Sequence, residues 1–249
     1  VTHIMRGDDH LTNTAAQIQL FKMLGSKVPK FGHFPLIKSI SGDSLSKRKG
    51  ENSISEIRKK NILPIIIVNY LSKIGTSKSI DDIFEMEELI EEFDLEIFSK
   101  NSIFYDPKEL QRLNSKYLKE ISFKNLNKYI DTSFNEEFWE VIKGNINDIT
   151  EANDWYKIIN SKLVLKEKVK LVLELKNKIL DELPKKITIN TWGDWTKKIL
   201  EKYDIKPKEL YTKLRIILTG KHVGPSMNKL LTLISVKEIV NRININSEE

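Results

Sequence analysis

The sequence predicts a mainly helical chain that opens with a short α/β stub, and three observations carry that expectation. Strand-like runs are confined to about the first 40 residues, apolar residues recur at helical spacing from about residue 54 onward, and helix-opening residues such as Ser53, Pro64 and Pro107 punctuate that second stretch. With 249 residues, 40% of them hydrophobic, the chain can bury one large core or two ordinary ones, which excludes disorder as the dominant state.

The elements follow in order. Residues 1–6 (VTHIMR) read as a strand running into Gly7-Asp8-Asp9-His10, and a helix capped by Thr12 or Asn13 then carries Ile18, Leu20, Phe21 and Leu24 as far as Gly25. One strand makes no sheet, so a strand-turn-helix unit at residue 1, without an initiator Met, suggests a chain cut inside an α/β domain. A second strand is expected over residues 31–37, limited by Pro35, followed by a polar run over 38–60 with a net charge of +4. Ser53 caps a helix over 54–60, and Pro64 starts another that ends at Gly75. Residues 81–96 hold nine carboxylates and no Lys or Arg, a solvated helix face with Phe84, Leu89 and Phe93 turned inward. Asp106-Pro107 begins the next helix. Further helices are expected over 134–142, 155–164, 167–183, 191–203 and 207–218, with a final pair split around Ser235. The units predicted are 1–40, 41–122 and 123–249.

Composition narrows the function classes. No run approaches the ~18 uninterrupted apolar residues of a membrane span, since Pro64 breaks the best candidate over residues 62–68, so no membrane association is expected. The absence of Cys excludes disulfide scaffolds, Cys-ligated zinc and thiol nucleophiles, and a cytoplasmic location follows as the default. Against 35 Asp and Glu stand 41 Lys and Arg, a net charge of +6 that suits a polyanionic partner and serves solubility equally.

Two segments can carry chemistry. Adjacent Asp8, Asp9 and His10 at a strand-to-helix turn point in different directions, so a metal site with His3 and His33 is disfavoured and no protein-bound metal is expected. A turn at the carboxyl end of such a strand is instead where ligands bind, and Arg6 beside a carboxylate pair suits an anionic group and a ribose. The second segment, SGDSLSKRKG (residues 41–50), sets three consecutive cations between two glycines, able to meet a polyphosphate or to be a solvated basic loop.

VTHIMRGDDH, FGHFPL and LSKRKG together resemble the nucleotide-binding domain of class I aminoacyl-tRNA synthetases, specifically the glutamyl-tRNA synthetase family, with LSKRKG as its KMSKS loop. FYDPKELQRLNSKYL is similar to that family's stem-contact region, and KLRIILTGKHVGPSMNKLLTLISVKEIVNRI to the end of its helical anticodon-binding domain. The resemblance implies a Rossmann remnant over 1–40, the KMSKS-type loop and a helical stem-contact domain over 41–122, and a helical anticodon-binding domain over 123–249. It implies a parent enzyme that activates glutamate with ATP, carrying Mg2+, and transfers it to tRNA(Glu); whether tRNA(Gln) is also charged stays open. It further implies a monomer, with Arg6 on glutamate, Asp9, Leu36 and Ile37 around ATP, and Lys47 and Arg48 as the catalytic pair on the triphosphate. Ser44 stands where the family commonly has a Lys.

No counterpart of the family's HIGH-type motif precedes these segments, and one wall of a site positions little, so the isolated chain is expected to bind tRNA without aminoacylating. Residues 162–186 hold eight Lys and a net charge of +4, consistent with phosphate contact or with a solvated face. Lys213 and Arg215 are the preferred tRNA contacts, whereas Trp192, Trp195 and Tyr211 are expected to pack between helices. A stand-alone helical RNA-binding module with a relic ATP loop is the competing reading.

Overall fold

A computed structural model describes residues 1–43, 45, 53–81, 83, 85–129 and 133–248. The chain divides into two compact units, Val1–Asn114 and Ser115–Glu249.

The first unit opens with strand β1 (His3–Gly7), a 3-10 turn at Asp8–His10, helix α1 (Leu11–Met23) and strand β2 (Lys30–Phe34). β1 and β2 run parallel, with Arg6 opposite His33. Parallel neighbours need a long crossover, and α1 supplies it. Contrary to the expected cap at Thr12 or Asn13, His10 stands at the N-cap without a side-chain bond, because the 3-10 turn leads its backbone directly into the helix. Gly25 follows the helix at φ +65°, a left-handed conformation that glycine takes without steric cost. On α1 only Thr14 is buried, while Leu20 and, just past the helix, Leu24 are exposed.

The single strand expected over 31–37 is two strands. Pro35 has no N–H to give a ladder, so β2 stops at Phe34 and the chain re-forms as β3 (Ile37–Ser39), which pairs in parallel with β4 (Ile103–Tyr105). Helices α2 (Ile54–Lys59), α3 (Pro64–Lys73) and α4 (Met86–Glu91) are each opened by a recognisable device: the Ser53 hydroxyl accepting from the Glu56 amide, Pro64 in the first turn, and a reciprocal Glu85–Glu88 capping box. Ile57, Ile65, Ile66, Tyr70, Leu89 and Leu113 are buried in this unit's core. Phe93, expected inside, is 51% exposed, because α4 ends at Glu91 and Phe93 lies past the helix; Phe84 lies outside the described residues. Helix α5 (Pro107–Glu120) spans the boundary between the units, and its Asn114 accepts from the Leu63 amide at 2.9 Å and donates to the Asn61 carbonyl at 3.3 Å.

The second unit is helical: α6 (Phe123–Leu126), α7 (Glu136–Ile142), α8 (Ile149–Asn160), α9 (Leu173–Asp181), α10 (Thr191–Lys202), α11 (Pro207–Thr219), α12 (Met227–Leu230) and α13 (Val236–Asn246). Asn135, Asp148 and Ser235 cap α7, α8 and α13 with their side-chain oxygens, so α8 starts well before the expected residue 155. The helix expected over 167–183 is shorter. Val169–Lys170 form a strand, β5, parallel to β6 (Ser247–Glu248), and a residue bonded into a ladder cannot also close a helical turn. Trp139 and Trp195 are fully buried and donate their indole N–H groups to the Ile121 and Ile179 carbonyls, at 3.0 and 2.9 Å. Among the described residues no helix is long and apolar enough to cross a membrane.

Candidate functional site

In the first unit the candidate residues gather where β1 ends and α1 begins. Arg6 lies on β1, its guanidinium 5.2 Å from the centre of the Phe31 ring on β2, and its Nη2 donates to the Thr14 hydroxyl at 2.6 Å. That hydroxyl is also 2.9 Å from His33 Nε2 and 3.1 Å from the His10 carbonyl. Thr14 has one proton to give; spent on the carbonyl, it leaves the hydroxyl to accept from both Arg6 and a His33 bearing its proton on Nε2. The guanidinium is therefore held on two sides, by a ring and by a hydroxyl. Its Nε is buried and meets no acceptor, an unmet donor of the kind that costs free energy unless something supplies an oxygen.

Gly7, the last residue of β1, is the point on which two other candidates converge. A side chain there would meet the Asp9 carboxylate at 2.5 Å and the Leu36 methyl at 2.9 Å, so the bare Cα lets both approach the end of the strand. Asp9 is half-exposed, with His10 Nε2 at 4.0 Å from its carboxylate. Ile37 opens β3 directly after Leu36. The loop beyond β3 turns tightly, the Ser39 amide donating to the Asp43 carbonyl at 2.8 Å and the Ser41 hydroxyl to the Asp43 carboxylate at 2.9 Å. Ser44, Lys47 and Arg48 lie outside the described residues. Among the described residues, no three His, Asp or Glu side chains form a group that could hold a metal ion.

In the second unit Lys213 and Arg215 lie on α11. Lys213 is paired with Glu209 at 2.8 Å, and Arg215 donates from Nη1 to the Pro225 carbonyl at 3.1 Å. Burial pulls the Arg215 guanidinium below its ordinary value. The two are thus engaged within the unit, with the Arg215 bond fixing the turn between α11 and α12. In this turn Gly224, at φ +154°, comes so close to the Trp155 indole that a side chain there would collide with the ring. Trp192 packs edge-on to Trp195 and 5.9 Å from Tyr211, itself 40% exposed.

Charge separates the units. Residues 1–114 hold 16 Lys and Arg against 16 Asp and Glu, so the whole net charge of +6 lies in residues 115–249. Within the latter, Lys162, Lys166, Lys168, Lys170, Lys185 and Lys186 are exposed, beside exposed Val164, Val172 and Leu173.

Sequence reading missed the anchoring of Arg6 by Thr14, and Arg242. The first needs the β1–β2 register, which brings His33 opposite Arg6. The second left a signal: Ile239, Arg242, Ile243 and Asn246 fall at i, i+3, i+4 and i+7, so two polar residues sit on the stripe that faces the core, and all four are buried.

Residues 1–112 match the family model for the catalytic domain of class I tRNA synthetases (E and Q), and residues 136–246 match an anticodon-binding domain. The chain is 38% identical over 246 residues to the glutamate–tRNA ligase 1 of Wolbachia sp. subsp. Brugia malayi (strain TRS), covering 98% of this chain and 55% of that protein. With the glutamate–tRNA ligase 1 of Rickettsia bellii (strain OSU 85-389) the identity is 37% over 249 residues, covering 98% and 56%. The chain thus spans about half the length of the curated relatives it matches. Its fold resembles the crystal structure of a glutamate–tRNA synthetase from Elizabethkingia anophelis, with a TM-score of 0.72 at 20% identity, covering 98% of this chain and 56% of that one.

Proposed function

Because the chain belongs to the class I tRNA synthetases of the E and Q type, with an anticodon-binding domain behind the catalytic one, we propose that it forms part of a glutamate–tRNA ligase. The reaction of the whole protein joins the glutamate carboxylate to the α-phosphate of ATP, bound with Mg2+, releasing pyrophosphate, and then transfers the glutamyl group to tRNA(Glu), releasing AMP. The observation that carries the reading is the convergence at Gly7. Arg6, Asp9 and Leu36 gather at the carboxyl end of a parallel strand pair, where α/β folds bind ligands.

In this reading Arg6 receives the carboxylate of glutamate, and its buried, unanswered Nε–H supports an acceptor arriving from a ligand. Thr14 and the Phe31 ring hold the guanidinium before substrate arrives, so its orientation is paid for in folding. Asp9, Leu36 and Ile37 border the ATP; Lys47 and Arg48 neutralise charge that builds on the departing pyrophosphate. Residues 1–40 act as the Rossmann part, 41–122 as the loop and stem-contact part, and 123–249 as the anticodon-binding part. Lys213 and Arg215 contact tRNA from α11, and the net charge of +6 in residues 115–249 supports attraction to phosphates. The protein acts as a monomer in the cytoplasm, and the 249 residues by themselves bind tRNA without charging it.

The test is binding of the purified chain to transcribed tRNA(Glu), to the same tRNA with an altered anticodon, to tRNA(Gln) and to an unrelated tRNA, each at two salt concentrations. Tightest binding to tRNA(Glu), weakened by the anticodon change, is expected. Equal and strongly salt-sensitive binding to all four would reduce the interaction to nonspecific charge, the result a general RNA-binding module predicts.

A further inference from the structure

In the first unit α3 and α4 leave an open apolar groove of about 420 Å³ between them, lined by Val68, Leu71 and Ser72 from α3 and by Met86, Leu89, Ile90 and Phe93 from α4 and the residues after it. Only Leu89 is buried; Ile90 is 69% exposed, and Val68, Leu71, Met86 and Phe93 are also open to solvent. Met86, Leu89 and Ile90 stand at i, i+3 and i+4 on α4, the spacing of a stripe that packs against another element, and Phe93, past the end of the helix, extends the apolar lining. An exposed apolar stripe of this kind marks an interaction site.

Charge selects the occupant. The remaining positions of α4 are Glu87, Glu88 and Glu91, all exposed; Glu92, paired with Lys78 at 2.8 Å, follows, and beyond it exposed Asp94 and Glu96. Such a rim repels phosphate, which disfavours RNA and anionic lipid, and attracts Lys and Arg. The groove is open at the surface, and among the described residues Ser72 is the one polar side chain in its lining, so it lacks the converging polar groups that orient a small molecule and suits the apolar side of a helix. We propose that the α3–α4 groove docks an amphipathic helix of a partner protein, with large apolar anchors at i, i+3, i+4 and i+7 and basic residues on its flanks. Anchors enter between Leu71 and Ile90, and the flanking cations meet Glu87 and Glu91. The groove's lining includes none of the residues assigned to glutamate or ATP, so this partner adds to the proposed ligase role and does not depend on it.

The probe is a two-turn-repeat peptide with Leu at the anchor positions and Lys elsewhere, its binding to the intact chain followed by fluorescence anisotropy and by backbone amide NMR shifts. One control peptide replaces Lys by Glu, and a second replaces Leu by Ser. The Leu/Lys peptide is expected to bind at least about tenfold more tightly than either control, with shifts centred on α3 and α4. Ile90→Ser, at a position too exposed to disturb folding, weakens it about fivefold or more, and Glu87→Lys weakens it as well. Equal binding of the Ser peptide would reduce the effect to charge alone and overturn the proposal. Unchanged binding to Ile90→Ser, or no binding of the Leu/Lys peptide, would also overturn it. Attachment to phosphatidylcholine vesicles that Ile90→Ser abolishes, in place of peptide binding, would overturn it in favour of a lipid surface.

Discussion

Arg242 shows what a single side chain can carry when each of its three nitrogens finds an acceptor. It is fully buried on α13; its Nε donates to Glu238 at 2.8 Å, Nη1 to the Leu218 carbonyl at 2.7 Å, and Nη2 to the Ile158, Ile159 and Ser161 carbonyls at 2.7, 3.2 and 3.2 Å. These carbonyls close the ends of α8 and α11, whose last C=O groups have no partner within their own helix. The planar fork reaches several at once, which an ammonium on a flexible stem cannot. Arg242→Met keeps the volume and strands the acceptors, so it should cost about 3–5 kcal/mol of unfolding free energy. Lys237→Met, on the exposed side of the same helix, should stay within about 0.5 kcal/mol. Urea unfolding followed by far-ultraviolet circular dichroism measures both, and a small loss at Arg242 would mean that water answers those carbonyls.

The join between α9 and α10 shows how elements are held by unlike devices. Trp195 sends its indole N–H from α10 to the Ile179 carbonyl in α9, and Glu182 beyond α9 accepts from Lys202 at the end of α10. The Lys202 hydrogen bond holds the Glu182 carboxyl below its ordinary value of 4.5. A carboxylate whose folded value is depressed adds stability above its unfolded value, and loses it as pH falls through the folded one. Glu182→Gln should therefore lower the melting temperature at pH 7, and the gap to the unaltered chain should narrow as pH falls through the depressed folded value, where the carboxyl becomes neutral like the amide. A gap that does not change with falling pH would assign the effect to packing. The sequence displayed the local parts of such joins well: Ser53, Pro64, Pro107, Pro207 and Ser235 each open a helix, because capping and first-turn preferences act over three or four residues. It displayed long-range pairings poorly. β4 and β5 exist because Ile103 meets Ile37 and Val169 meets Ser247, and a strand of two or three residues leaves no periodicity to read. The same limit applies at the site, where Arg6 and Asp9 announced themselves in RGDDH while Thr14 and His33 joined them only through the β1–β2 register.

At the scale of the whole molecule, the 16-to-16 balance of charges in residues 1–114 and the excess of six in 115–249 make a definite claim about where attraction to the proposed tRNA partner originates. Binding that releases counterions depends on salt in proportion to the phosphates neutralised, so each lost contact shows as a shallower salt dependence. Lys166, Lys168 and Lys170 are exposed and form no ion pair among the described residues, so reversing them leaves no stranded partner and should preserve the fold. The triple Glu substitution should weaken binding to every tRNA by a similar factor and lower the log–log salt slope by about one unit for each phosphate contact removed. Reversing Lys22, Lys27 and Lys30 changes the net charge of the chain by the same amount from within the neutral unit. If attraction comes from the total charge, both triples weaken binding alike. If it comes from a basic surface in the helical unit, the first triple flattens the slope and the second leaves it nearly unchanged, and the local surface is the outcome the charge distribution predicts.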